Sequence, residues 1–554
     1  MTEEHARPRL SSSVAETIVV GVVLDGTTVP AWVYSVLSRL ERDPAFDWGL
    51  TLLVGDARRA RRGRTRALGF RAFEALDARR HASRANDALA ARDATALVAG
   101  RPRIEVSDDR DLAPPLLAPT APRGAARRFD VVLDLRATRG PSPTTDFARY
   151  GVWWAEPASD HPRPGDAVFW AIHDRQSTCD VQLVTRVAGT PDPVVAATAT
   201  VGLQPASLAV SRSLCYWKAA TLVLQQLAGL RVGDGNNDVA AANRGPTERR
   251  PVSARPPRAG AVARVAGRQL KAAIGHRIAA RRTREQWLLG IRLRMTDTPT
   301  LDGLGFRAIV PPPDRTFADP FLLDHGSTTH LFLEEFEFAR GRGVISVTTV
   351  GDDGQSGVPE VVLERPYHLS YPFVFRDGAD VFMIPESAAN RTVELYRAVD
   401  FPRGWELHDV ILEDVRALDS SLLHHGGRYW LFTSIEEPGR NRNDELHLFT
   451  SAALEGPWTP HSRNPVVTDV RRARPAGRPF LMDGSLIRPA QDCSVRYGFS
   501  VAFQRVDILT DDDYAEETIA VLGPTWSHDL EATHTFNTLG RIDVVDGLRR
   551  IPLA

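Results

Sequence analysis

Two aspartates occupy the same place in a repeated sequence unit. Asp319 lies in Phe317-Ala-Asp-Pro-Phe-Leu-Leu, and Asp419 lies in Ala417-Leu-Asp-Ser-Ser-Leu-Leu. Two carboxyl groups facing each other across a sugar-sized cleft can break or form a glycosidic bond, one as base or nucleophile and the other as acid or as a group that tunes its pKa. Either Asp alone is equally well explained as a local cap that accepts backbone N–H bonds. The shared position of both favours a catalytic role.

Glutamates follow the apolar segments next along the chain and compete for the role of acid. Glu386 is our candidate for the acid, and Asn390 and Arg391, which follow closely, are candidate substrate contacts. Glu334 and Glu335 take the corresponding place in the first repeat unit, and we assign substrate binding to Glu335.

The segment from Arg488 to Tyr497 is rich in side chains that can form hydrogen bonds. Such groups can hold a polyhydroxylated or anionic ligand, and an internal Arg/Asp network that braces the fold explains them equally well. The candidate substrate-binding residues there are Arg488, Gln491, Asp492 and Tyr497.

A repeat of about fifty residues must position these groups. Each unit contains a turn and extended apolar segments, and this period is typical of propeller blades, whose first strands surround one axis. The sequence therefore predicts an all-β five-bladed propeller over residues 305–554. The units open at Phe317, Ser370, Ala417, Gly477 and His534.

The first part of the chain, residues 1–231, has a different pattern. Short branched runs such as Ile18-Val-Val-Gly-Val-Val-Leu alternate with helix-length segments, including one near Ala206 to Leu227. Strands that alternate with helices indicate an open, largely parallel α/β sheet of the Rossmann type.

The two parts are joined by a Gly/Pro/Asn-rich linker, residues 232–260, and a connecting segment, residues 261–304. We expect a helix from Ala261 to about Arg294. Thirteen basic residues and one acidic residue, Glu285, lie between Arg249 and Arg294. Such a helix can contact an anionic membrane. The alternative, which we prefer, is a connecting helix that packs between the two parts and has solvated arginines.

Composition limits the function classes. The 68 basic and 69 acidic residues leave a net charge of −1, which argues against nucleic acid as a partner. Three separated cysteines form no metal-ligand spacing, and the amino-terminal residues lack an apolar signal segment. We therefore predict a cytoplasmic protein without a metal, at most peripheral to a membrane, and the arginine-rich composition suggests a bacterial source.

Several motifs taken together carry a family resemblance. Ala318-Asp-Pro-Phe-Leu, Ser370-Tyr-Pro-Phe and Ala417-Leu-Asp-Ser-Ser-Leu resemble the amino-terminal propeller domain of plant glucosamine inositolphosphorylceramide transferases, which is similar to five-bladed arabinanase and xylosidase-type hydrolases. The resemblance implies that Asp319 is the general base and that Asp419 orients and tunes the acid. The hydrolases carry that acid, a glutamate, in the fourth blade, where this chain has Gly477-Arg-Pro-Phe.

A second resemblance concerns the amino-terminal part. Residues 150–184 resemble the formyltransferase fold, which implies a formyl-tetrahydrofolate cofactor and a nucleotide-linked amino sugar as substrate. Val152 and Trp154 stand where that family has Asn and His, and His161 is the nearest substitute. We therefore expect a degenerate domain and no cofactor in the preferred interpretation.

The preferred function is that of a carbohydrate-active protein whose propeller cleft binds and processes a glycan or a sugar nucleotide, by glycosyl transfer or hydrolysis, in surface polysaccharide metabolism. Two alternatives stay open at this point. One is formyl transfer by the amino-terminal part, and the other is a propeller that binds glycan without catalysis.

Overall fold

The amino-terminal part folds around one open sheet. The computed structural model describes residues 17–54, 68–81, 87–101, 103–106, 129–136, 148–158, 166–187, 190, 192–230 and 257–553. Its first strands are β1 Ile18–Leu24, β2 Thr28–Pro30, β3 Phe46–Val54, β4 Ala91–Asp93, β5 Arg103–Val106, β6 Val131–Asp134, β7 Val152–Ala158, β8 Thr178–Arg186 and β9 Val194–Gly202. The helices among the described residues are α1 Ala31–Arg42, α2 Leu68–His81, α3 Thr95–Val98, α4 Ala167–His173, α5 Leu208–Gly229 and α6 Ala259–Arg282.

Seven strands form this sheet in the order β5-β3-β1-β6-β7-β8-β9. The pairs up to β7 are parallel, whereas β8 runs antiparallel to both β7 and β9. The sheet is thus mixed, because β7, β8 and β9 follow one another along the chain as antiparallel neighbours. The formyltransferase-like arrangement is not evident, and His161 lies outside the described residues.

The connecting helix ends earlier than expected. Helix α6 ends at Arg282, and Thr283–Leu293 forms strand β10, so the predicted helix to Arg294 is wrong beyond Arg282. The residues after Arg282 pair instead with a strand at the far end of the chain, which no local pattern reveals. Most of the predicted linker, residues 231–256, lies outside the described residues. None of the helices described is long and apolar enough to cross a membrane.

The carboxy-terminal part is a five-bladed propeller, which confirms the expected fold. The first four blades are four-stranded antiparallel sheets joined in sequence. Their strands are β12 Arg315–His325, β13 Thr328–Glu337, β14 Arg342–Val350 and β15 Glu360–Leu363; β16 Ser370–Asp377, β17 Asp380–Ser387, β18 Thr392–Asp400 and β19 Gly404–Glu413; β20 Ala417–His425, β21 Arg428–Ile435, β22 His447–Ser451 and β23 Thr459–Pro460; β24 Phe480–Met482, β25 Ser485–Asp492, β26 Ser500–Leu509 and β27 Tyr514–Leu522.

The fifth blade closes the ring with strands from both ends of the propeller. Strand β10 pairs over its whole length with the last strand, so that Thr283 lies opposite Pro552 and Leu293 lies opposite Ile542. Gly290 permits close packing there, since a Cβ atom would lie 2.8 Å from the Trp526 ring. The propeller therefore begins at β10, before the predicted boundary at residue 305. Its other strands are β11 Arg307–Ile309, β28 Leu530–Ala532, β29 Phe536–Leu539 and β30 Ile542–Pro552.

A buried ion cluster joins the amino-terminal part to the third blade. The Lys218 Nζ atom on α5 lies 2.7 Å from Asp444 Oδ1 and 2.5 Å from Glu445 Oε1, and all three side chains are buried. Burial alone would raise the pKa of Glu445, but the charges of Lys218 and Arg440 outweigh burial and lower the pKa. Thr200 on strand β9 also forms a β-bridge with Asp469, which lies in the connection after the third blade.

We expect Lys218→Met to destabilise the folded chain by about 3–5 kcal/mol, because it leaves two buried carboxyl groups without their cation. Urea denaturation followed by tryptophan fluorescence measures this loss. Lys271→Met is the matched control, because Lys271 is exposed on α6. Equal stability of the two variants would contradict the inferred role of the cluster.

Candidate active site at the propeller axis

The innermost strands of three blades share an unusual backbone feature. Asp319, Tyr371 and Asp419 have φ angles of 50°, 46° and 51°, in the left-handed region that non-glycine residues seldom adopt. Each lies within a shift of strand register, between Ala318 and Phe321, Ser370 and Phe373, or Leu418 and Ser421. Bulges and left-handed residues of this kind often occur near functional sites, where they redirect a side chain.

Carboxyl groups of the preceding blade hold these bulges. The backbone N–H of Asp319 donates to Asp546 of the fifth blade at 3.1 Å, and that of Tyr371 donates to Asp319 at 3.2 Å. In the same way the backbone N–H of Asp419 donates to Glu386 of the second blade at 3.0 Å. Each of these acidic side chains accepts a backbone N–H from the next blade, so they fix the backbone around the axis.

The bulges border a pocket of about 360 Å³ at one end of the axis. Its walls combine acidic, basic and aromatic side chains from all five blades. The carboxyl groups are Asp319, Glu334, Glu386, Asp419 and Glu436; the basic groups are His368, Arg416, Arg442, Arg474 and His534; and the aromatic rings are Trp287 and Tyr497.

Asp319 belongs to a buried chain of charges. The His534 ring lies between two carboxylates, with Nε2 3.4 Å from Asp319 and Nδ1 2.7 Å from Asp546, and it packs 4.1 Å from the Trp287 ring centre. Burial raises the pKa of Asp319 to about 6 despite the charge of His534. Burial alone would lower the pKa of His534, but Asp546 and Asp319 outweigh it and raise the pKa to about 9. His534 is therefore a cation at neutral pH.

Glu386 and Asp419 form a second acidic group. Burial, supported by the charge of Asp419, raises the pKa of Glu386 to about 8, although Arg474 opposes this effect. The Asp419 carboxylate accepts from Arg474 Nε at 2.5 Å and from Gln491 Nε2 at 2.6 Å. The Arg474 guanidinium also lies 5.0 Å above the Tyr497 ring. Glu386 is therefore mostly protonated at neutral pH.

The fourth blade places no carboxyl group in the pocket. Gly477 adopts a φ of 141°, and a Cβ atom there would lie 2.0 Å from the Phe536 carbonyl oxygen. Arg478 donates to the carbonyls of Val374 and Leu322, and its guanidinium lies over the Phe373 ring. Steric exclusion thus explains why the family's fourth-blade acid has no counterpart at this position.

Asp319, His534 and Asp546 have their ligand atoms within 4.8 Å of one another, and a metal ion could use such a set. Both ring nitrogens of His534 face carboxylates, and an imidazole must be neutral to bind a metal. With Asp319 and Asp546 on either side of the His534 ring, the three groups fit an ion-pair chain better than a metal centre.

The pocket brings together four of the predicted site residues. Asp319, Asp419, Glu386 and Tyr497 line it. Gln491 lies behind Asp419 and positions its carboxylate.

Besides Gln491, five predicted substrate contacts do not line the pocket. Successive residues of a strand point to opposite faces, so Glu334 enters the pocket while Glu335 bonds to Arg315 and Ser346. The other four bond to structural partners: Asn390 to Glu394, Arg391 to Asp414, Arg488 to Glu516, and Asp492 to the backbone of Ser494.

Sequence reasoning missed Arg474, His534 and Trp287 as pocket residues. His534 opens the fifth repeat unit, so its position in the repeat was an available signal. No sequence signal marked Trp287 as a pocket residue, because its strand was predicted to be part of a helix. Arg474 precedes the fourth unit, and only the fold places it beside Asp419.

Part of the propeller resembles a named family. Residues 309–534 match the family described as "Glucosamine inositolphosphorylceramide transferase 1, N-terminal". The chain is 38% identical over 208 residues to glucosamine inositolphosphorylceramide transferase 1 of Arabidopsis thaliana. This match covers 37% of this chain and 27% of the plant protein. The protein of the same name from Oryza sativa subsp. japonica is also 38% identical over 208 residues, 37% of this chain and 28% of the rice protein.

The chain spans little more than a quarter of the length of these curated relatives. The matched region lies in the propeller, and the formyltransferase resemblance of the amino-terminal part is not supported. Both relatives are plant proteins, so they lend no support to a bacterial source.

Solved structures of glycoside hydrolases are also similar at low identity. A family 117 glycoside hydrolase from Zobellia galactanivorans has 13% identity and a TM-score of 0.31, covering 48% of this chain and 90% of that one. An exo-beta-1,3-galactanase from Phanerochaete chrysosporium has 12% identity and a TM-score of 0.30. The match covers 39% of this chain and 58% of that one.

The charge chain predicts a pH-dependent contribution to stability. A group whose pKa is raised by folding stabilises the fold fully below its unfolded pKa, near 6.5 for His534, and loses that contribution as the pH rises through about 9. We expect the wild-type protein to lose about 2 kcal/mol relative to the double variant Asp319→Asn/His534→Gln between about pH 7 and about pH 9.5. Urea denaturation at both pH values measures this difference. Parallel stability curves would contradict a charged His534.

Proposed function

We propose that the axial pocket binds a glycan or an activated sugar and catalyses glycosyl transfer or hydrolysis. The observation that carries the proposal is that one pocket contains a buried carboxyl group and a largely buried one whose pKa values are separated, about 6 for Asp319 and about 8 for Glu386. At neutral pH the first is mostly a carboxylate and the second mostly an acid. Glycosidic chemistry requires one carboxyl group in each state.

Asp319 serves as base or nucleophile in this proposal. His534, held by Asp546, keeps a positive charge beside Asp319 and stabilises its ionised form. Glu386 donates a proton to the leaving oxygen, and Asp419 orients Glu386 through its backbone N–H. Arg474 forms an ion pair with Asp419, and its positive charge offsets the negative charge of Asp419 beside Glu386.

The remaining walls suit a sugar substrate. Trp287 and Tyr497 offer aromatic faces, and the carboxyl groups offer acceptors for hydroxyl groups. Arg416 and Arg442 are exposed by 41% and 53% and can meet the phosphate of an activated sugar. The name of the plant relatives, which denotes a glucosamine transferase, supports a sugar as the ligand.

A second candidate is a propeller that binds glycan without turnover. The bonds from Arg474 and Gln491 to Asp419 and the absence of a fourth-blade acid favour it. Calorimetric binding of a sugar with no turnover in any assay supports this second candidate and contradicts the first.

We expect Asp319→Asn and Glu386→Gln each to lower kcat about a hundred- to ten-thousand-fold, because each removes one proton-transfer group. Turnover of a panel of nitrophenyl glycosides and nucleotide sugars by the full chain measures the effect. Glu413→Gln is the matched control, since Glu413 is exposed at the end of an outer strand. Unchanged activity in both pocket variants would remove the carboxyl pair from the mechanism.

The same pair predicts a bell-shaped pH dependence of kcat/KM. Activity should rise through about pH 6 as Asp319 ionises and fall through about pH 8 as Glu386 loses its proton. Glu386→Gln should remove the alkaline limb from the residual activity and leave the acidic limb in place. If the alkaline limb persists, another group is the acid.

A further inference from the structure

Helix α6 presents an apolar stripe to solvent in its second half. Leu270, Ile274 and Ile278 are exposed by 55%, 51% and 49%, although isoleucine and leucine are usually buried. Their spacing of four residues places them on one side of the helix.

The first half of the same helix is packed against the amino-terminal part. Ala261, Val262 and Val265 are buried, and Arg268 donates to the carbonyls of Ile172 and His173. About two and a half turns separate Val265 from Ile274, so the exposed stripe lies on the side opposite the packed one. The first half of the helix is therefore held against the amino-terminal part, whereas nearly every residue from Leu270 to Arg282 is exposed among the described residues.

The exposed half carries only positive charge. Helix α6 contains six Arg and Lys residues and neither Asp nor Glu. Lys271, Arg277, Arg281 and Arg282 are exposed and lie beside or between the apolar side chains. Apolar side chains interspersed with cations are typical of helices that lie in the interface of anionic membranes.

We infer that the second half of α6 binds an anionic lipid surface. A second copy of this chain is a poorer occupant, because two such faces would bring like charges together. Anionic headgroups satisfy the cations while the Leu and Ile side chains enter the acyl boundary. This inference rests on the helix alone and goes beyond the proposed reaction.

The chain runs directly from the proposed lipid-binding helix into the pocket wall. Helix α6 passes directly into strand β10, which carries Trp287 into the pocket wall. At about 3.3 Å per residue, Thr283 and Trp287 lie roughly 13 Å apart along the strand.

Vesicle sedimentation of the full chain tests the inference. We expect binding to vesicles of phosphatidylcholine mixed with phosphatidylserine, weak binding to phosphatidylcholine alone, and release at high salt. Arg277→Gln and Arg281→Gln should each weaken binding about fivefold. Leu270→Gln/Ile274→Gln/Ile278→Gln should weaken it at least roughly tenfold.

Matched controls separate the helix from general surface effects. Met295→Gln and Val358→Gln replace apolar side chains that are each exposed by 91%, and Arg403→Gln removes an exposed charge outside the helix. These variants should bind vesicles like the wild type. Circular dichroism and thermal unfolding verify that every variant is folded.

Three outcomes would overturn the inference. One is equal binding to neutral and anionic vesicles, and another is unchanged binding after the triple Leu/Ile substitution. The third is a concentration-dependent dimer in sedimentation velocity that the same triple substitution abolishes, because it would assign the apolar face to a second copy. Sugar turnover in solution is measured separately, so failure here leaves the reaction proposal untouched.

Discussion

The structure around the propeller axis depends on a hydrogen bond from a left-handed backbone N–H to a carboxyl oxygen of the preceding blade. Asp546 accepts from Asp319, Asp319 from Tyr371, and Glu386 from Asp419. A left-handed non-glycine residue costs of order 1–3 kcal/mol, which the surrounding structure must offset. The same carboxyl groups therefore hold the blades together and supply the chemistry of the pocket.

Burial of these acids controls the electrostatics of the site. Several carboxyl groups cannot all be ionised in a small buried volume, so His534 and Arg474 each neutralise one of them and Glu386 retains its proton. The arrangement separates a carboxylate from a carboxylic acid without any residue from the fourth blade. In the proposed reaction the acid comes from the second blade.

The amino-terminal sheet and the propeller are joined by buried charge rather than by the connecting helix alone. Lys218 reaches Asp444 and Glu445 in the third blade, while β10 enters the fifth blade directly from α6. The helix can therefore keep one face exposed, since it is not needed to fill the contact between the two parts. This freedom makes its apolar and basic face available to a membrane.

The sequence by itself determined the repeat, the five-bladed propeller and the equivalent positions of Asp319 and Asp419, because these follow from local patterns that recur along the chain. Only the tertiary structure decided which neighbours complete the site. Glu334 rather than Glu335 enters the pocket through strand register, and His534 and Arg474 reach the acids from distant blades. The strand after Arg282 was likewise decided by a partner more than two hundred residues away, since pairing with β30 overrides the local preference for a helix.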